Sequence, residues 1–222
     1  SVQRRDVGHA WKWLQTLLGC AFSKKFYRWH LALRLLCAIS LFWSSTLFSS
    51  MFLFASTIIL LIRWRGSFNG GSDFMTVVAL TALVIAEIVT PLAGNEFAWR
   101  AALWYVTLQS ITSYFVSGAI KLLNSEWMSG RALIYFLDGG LHGPLSQSSI
   151  FRRPGVALAC SWCFILWEIS FPLALIGQTV AILFCLIAAV FHLLVFRFFS
   201  LNRFVWAWVT TFPSVIFCAS QL

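Results

Sequence analysis

Residues 31–62 form an apolar run of 32 residues in which Arg34 is the one charged side chain. As a single helix the run would be about 48 Å long, well beyond a hydrocarbon core of about 30 Å. The Ser44-Ser45-Thr46 and Ser49-Ser50 clusters near its middle predict a reversal, hence two spans joined by a tight turn. Charge supports the hairpin. A single span would put the basic N-terminus and Arg63/Arg65 on opposite sides of a bilayer, whereas the hairpin gathers them on one side, as the positive-inside bias requires. Composition agrees that lipid is the solvent for much of the surface. Hydrophobic residues make up 60% and charged residues 10% of the chain, against roughly 25% charged in a soluble domain.

Further apolar runs follow at 74–91, 98–123, 155–176, 178–196 and 204–220, each near the roughly 20 residues that a crossing needs. The predicted fold class is therefore all-α: a polytopic transmembrane helix bundle of about seven spans, or six if 31–62 is one. Residues 1–29 are too charged to span. There Arg4, Arg5, Lys12, Lys24, Lys25 and Arg28 flank Trp11, Trp13, Leu14, Leu17 and Leu18, the pattern of an amphipathic basic helix lying in the interface. The domain division is thus an interfacial segment, 1–29, and a transmembrane domain, 30–222. With the N-terminus cytoplasmic, the loops at Arg63/Arg65, Arg131/Arg152/Arg153 and Arg197/Arg203 are cytoplasmic too. The one long connection, 124–153, holds Trp127, Ile134, Tyr135 and Phe136 among Gly and Pro and is expected to lie partly in the interface.

The net charge of +9 is spread in short clusters between apolar runs, which fits contact with anionic headgroups and not a nucleic-acid face. The expected partners are the lipid bilayer and other membrane proteins. Six cysteines, five of them within apolar runs, read as small hydrophobes. The Cys160-Ser161-Trp162-Cys163 spacing lacks the helix N-terminus or basic neighbour that activates a redox pair. His9, His30, His142 and His192 do not have metal-ligand spacing.

Ionisable groups at bilayer depth cost free energy and need a reason. Glu87, Lys121, Glu168 and His192, with Gln109, are the candidates, and Asp73 lies at an edge. Counted along each helix, Glu87 and Glu168 sit roughly 20 Å from the cytoplasmic end, while Lys121, His192 and Asp73 sit near that end. Two layers are expected: the carboxylates with Gln109 at mid-depth, and Asp73, Lys121 and His192 below. Each group also has a structural role open to it. Lys121 could snorkel to headgroups, and His192 could bond a backbone carbonyl. Glu87 and Glu168 could bridge helices, and Asp73 could cap a helix N-terminus.

The run from Gln109 through Tyr114 and Gly118 to Lys121-Leu122, followed by Trp127 and Gly130, resembles the HTTM domain. This is the membrane domain of the vitamin K-dependent gamma-carboxylase and of bacterial proteins similar to sporulation-delaying protein B. Glu168 followed by Pro172-Leu173, His192, the Leu201-Asn202-Arg203-Phe204 run and Phe212-Pro213 fit the same pattern, over roughly 29–220. The resemblance implies that Lys121 is a catalytic base or ligand-binding cation supported by Glu168 and His192. It also implies that Gln109, Tyr114 and Asp73 line the place of a cofactor such as a quinone. The chain departs from the carboxylase in having no counterpart of its second catalytic His and no large lumenal domain. The activity implied is modification or maturation of an exported peptide, or a quinone-linked reaction. The alternative is a non-catalytic structural or assembly subunit of a larger membrane complex.

Overall fold

The computed structural model describes residues 11–21, 23–64, 70–141 and 143–222. Arg4, Arg5, His9, Arg65, Phe68, Asn69 and His142 lie outside the described residues, as do the side chains of Leu14, Leu17 and Leu18. All regular structure among the described residues is helical. The chain divides into two compact units, Ser1–Ala102 and Leu103–Leu222.

The first unit holds α1 (Lys12–Ala21), α2 (Lys24–Ser40), α3 (Leu47–Arg63) and α4 (Gly70–Ala93). The expected reversal is present. Helix α2 ends at Ser40, and Thr46 opens α3 by accepting a hydrogen bond from the Ser49 amide at 3.2 Å, which satisfies one of the free donors of a helix start. Helix α3 packs against both neighbours, with Ser49, Ser50, Leu53, Ser56 and Thr57 buried at helical spacing. Small and hydroxyl side chains there let helices approach closely. Helix α4 answers with Met75, Val78, Ala82 and Ala86 along one face. Ser23 caps α2 through the Phe26 amide, so residues 24–29 belong to the first helix of the hairpin and α1 is a separate ten-residue helix.

Helix α5 (Asn95–Leu122) begins in the first unit, and its larger part belongs to the second. There α6 (Ser125–Met128), α7 (Arg131–Asp138), α8 (Pro154–Ile169) and α9 (Gln178–Phe199) follow, with a 3-10 turn at Phe171–Ile176 after α8. Two short helices, α10 (Asn202–Val209) and α11 (Phe212–Ala219), occupy the run expected to be one span. The break falls at Thr210-Thr211, ahead of Pro213, whose ring is tolerated in a first helical turn and not in an interior. Helix α9 turns Ala181, Cys185, Ala188 and His192 toward the 3-10 turn, α10 and α11. Helices α4 and α9 are long and apolar enough to cross a membrane.

The connection 124–153 is more ordered than a loop. Helices α6 and α7 both pack on α8. Arg152 closes the rest by reaching Asp138 (Nη2 to Oδ1, 2.9 Å) and the Leu145 carbonyl (2.7 Å). Arg131 likewise pairs with Glu126 at 2.7 Å. Two of the cations expected to mark a membrane side are thus tied within the connection itself.

Candidate functional site

One face of α5 builds the site. Ile111, Tyr114, Gly118 and Lys121 recur at three- and four-residue spacing and so stack along one side of the helix; Ser117, four residues before Lys121, joins them. Gly118 is where α8 comes closest. A Cβ placed there would lie 2.6 Å from the Ile169 backbone nitrogen and 2.9 Å from the Glu168 Cβ. That approach sets Glu168 beside the next turn of α5.

The consequence is an ion pair. Lys121 Nζ lies 2.5 Å from Glu168 Oε2 and 2.8 Å from Oε1, and it donates to Ser117 Oγ at 2.6 Å. Ser117 in turn donates to Glu168 Oε1 at 3.2 Å. The three N–H groups of the ammonium thus have three acceptors. The Glu168 side chain is 3% exposed and that of Lys121 17%, so the pair is largely desolvated and stands only because each charge has its partner. The Trp127 ring lies 5.3 Å from Nζ, within cation–π range.

Two turns back along α5, about 10 Å, Tyr114 forms a second cluster. Its hydroxyl is 2.6 Å from His192 Nε2. Its ring stacks on Phe171 at 4.0 Å and meets Trp167 and Trp208 at 5.2 and 4.7 Å. His192 is 1% exposed. His192 Nδ1 and the indole nitrogens of Trp167 and Trp208 are buried without a hydrogen-bond partner, three polar atoms of one aromatic cluster. Tyr114→Phe leaves His192 Nε2 in the same state, and it should cost about 1–2 kcal/mol of stability. Denaturant unfolding in detergent checks this, and an unchanged midpoint would mean the bond contributes nothing.

Lys121, Glu168, Tyr114 and His192 are therefore brought into two adjoining clusters on α5, α8 and α9. Gln109 is not brought to them: it lies about 140° around α5 from Tyr114 and is half-buried. Asp73 and Glu87 belong to the first unit. Asp73 is buried in the first turn of α4, inside the helix and not ahead of it, where a carboxylate complements the helix dipole. Glu87 is half-buried.

The expected separation of Lys121 and Glu168 into two layers is corrected by their contact. Counting depth from each helix start presumes that all helices start at one level. Helix α8 does not start level with the end of α5, because α6 and the turn after it fold back along its first half. Ser161 Oγ donates to the Trp127 carbonyl at 2.5 Å, and Trp162 Nε1 to that of Met128 at 3.1 Å. Gly130, at φ 79°, lets this turn lie on Ala157 and Leu158. Ser161 has a structural task here, and the flanking Cys160 and Cys163 are free thiols.

A family model for the HTTM domain matches residues 74–221. The chain belongs to the HTTM family. The matched region holds both clusters, and its start lies well beyond residue 29, leaving the α2–α3 hairpin outside it. No curated protein and no solved structure matches the chain. Within the HTTM domain the residues at Gly118, Lys121, Trp127 and Gly130 now have distinct physical tasks: close approach, charge, cover and turn. Sequence reasoning missed Ser117, although its position four residues before Lys121 puts it on the same helical face. It also missed Trp167 and Trp208, for which no local spacing gives a signal.

Proposed function

We propose that this HTTM protein is a multi-pass membrane protein, of about seven spans with the N-terminus cytoplasmic, that modifies or matures an exported peptide or carries out a quinone-linked reaction. The observation behind this reading is the desolvated Lys121–Glu168 pair. In a site with little water, a proton passed from Nζ to the carboxylate leaves a neutral amine beside a neutral acid and strands no charge. The amine then accepts a proton from substrate, and Glu168 passes its own to the product, which restores the charged pair. Ser117 holds both partners in place, and Trp127 keeps water off the amine.

A quinone, the cofactor suggested by the resemblance to the carboxylase's membrane domain, would suit the donors of the second cluster. The orphaned ring nitrogens of Trp167, Trp208 and His192 suit carbonyl oxygens, and these residues would hold it. Such a ring supplies redox chemistry when bound.

Arginine at position 121 preserves the ion pair but cannot give up its proton. Lys121→Arg should therefore lower turnover by about 10²-fold or more while leaving the fold intact. Purification of the full chain in mild detergent, with mass spectrometry of the peptides and small molecules it retains, supplies the substrate for that assay. Unchanged turnover in Lys121→Arg would remove the base role. The competing reading is a structural subunit, favoured by the exposed Phe42, Trp43 and Trp206, which suit neighbouring helices as well as lipid. It predicts a protein assembly that co-purifies and survives Lys121→Ala.

A further inference from the structure

The α2–α3 hairpin holds a cation for which neither helix supplies an anion: the two contain no Asp or Glu. Arg34 Nη1 donates to the Leu53 carbonyl at 3.2 Å, to Ser56 Oγ at 2.9 Å and to Thr57 Oγ1 at 2.8 Å. Thr57 spends its own proton on the Leu53 carbonyl. The guanidinium plane is thereby fixed to α3 through one nitrogen. Its opposite edge, Nε–H and Nη2, is the fork that matches two oxygens of an oxyanion. Among the described residues that edge meets no acceptor, and no carboxylate pairs with Arg34.

A second observation lies beside it. His30 is 8% exposed, and its Nε2 is 2.8 Å from the same Ser56 Oγ. Ser56 accepts from Arg34; in the tautomer where its own proton goes to Nε2, the imidazole proton sits on Nδ1. That nitrogen is buried and has no partner. An anchored guanidinium fork and an unused imidazole donor therefore belong to one hydrogen-bonded cluster.

Position identifies the anion. Arg34 lies about 5 Å inside the start of the apolar run, and the hairpin end above it is basic. Lys24, Lys25 and Arg28 are exposed there, and the Arg63 guanidinium lies 3.9 Å over the Tyr27 ring. Leu31, Leu35 and Ile39 are exposed at four-residue spacing on α2, an apolar track leading away from Arg34. We propose that the hairpin binds the phosphodiester of an acidic phospholipid. The Arg34 Nε/Nη2 edge grips the two non-bridging oxygens, His30 Nδ1–H is a further donor, and an acyl chain follows the leucine track. This site lies outside the HTTM match and is independent of the chemistry proposed for Lys121.

The test places the full chain in nanodiscs of phosphatidylcholine containing a minor share of phosphatidylglycerol and reads co-retained lipid by native mass spectrometry. The expected result is enrichment of phosphatidylglycerol by the parent protein. Arg34→Lys keeps the charge and loses the fork, and it should cut the enrichment about tenfold. Ser56→Ala removes the anchor while keeping Arg34 and should reduce it less, a control that does not depend on a charge change being tolerated. Equal enrichment in the parent and Arg34→Lys would overturn the proposal. So would a loss as large in Lys24→Gln/Lys25→Gln, which would mean diffuse attraction, or displacement by inorganic phosphate alone, which would mean a free-anion site.

Discussion

Glu168→Leu should destabilise the HTTM domain by about 3 kcal/mol or more, the cost of leaving a desolvated ammonium without its counter-charge. Lys121 keeps some contact with the outside at 17% exposure, so the loss belongs at the low end of the range for fully buried pairs. Lys121→Leu with Glu168→Leu should recover most of it, to within about 1 kcal/mol of the parent, because two apolar side chains at a packed interface need no partner. Unfolding midpoints of the two single variants and the double variant in one detergent give the coupling directly. Additive losses would show that the two charges do not act as a unit, and the proton-sharing reading of the site would go with them.

Gly130→Ala should cost about 2–4 kcal/mol, from a left-handed backbone that alanine resists and a Cβ with no room. Gly130 has φ 79°, and the added atom would lie 2.6 Å from the Leu158 backbone nitrogen. Gly118→Ala meets backbone at the same 2.6 Å without a strained φ, and its effect has a different signature. Pushing α8 off α5 lengthens the contact between Glu168 and Lys121. The coupling measured between those two charges should therefore shrink in a Gly118→Ala background and stay in a Gly130→Ala background. Melting temperature and the repeated cycle check both. An unperturbed melt for Gly130→Ala would mean that the turn after α6 is not packed on α8.

The hairpin was legible because 32 apolar residues are too many for one crossing and the hydroxyl cluster marks where the chain turns; Thr46 caps α3 where that reading needs a helix start. Lys121, Glu168, Tyr114 and His192 were legible as residues, since a polar group in an apolar run stands out. Their partners were not. Pairing Lys121 with Glu168 depends on where α8 begins relative to the end of α5, which is set by α6 folding back on α8, a contact 34 residues apart in sequence. Gln109 stands out for the same reason as Lys121, but polarity alone carries no information about which side of a helix faces inward. The break at Thr210-Thr211 was hidden because hydropathy averages over a run and is blind to a two-residue turn.

The turn that carries Trp127 is tied to α8 through two successive carbonyls, one held by Ser161 and the next by the Trp162 indole. A backbone pinned twice in a row cannot swing, so the indole over Lys121 pivots about its own χ angles on a stationary hinge. Hydration of the amine then depends on the rotation of that one side chain, whose ring also rests against Phe136. Its frequency would follow the bulk of whatever residue occupies that single position.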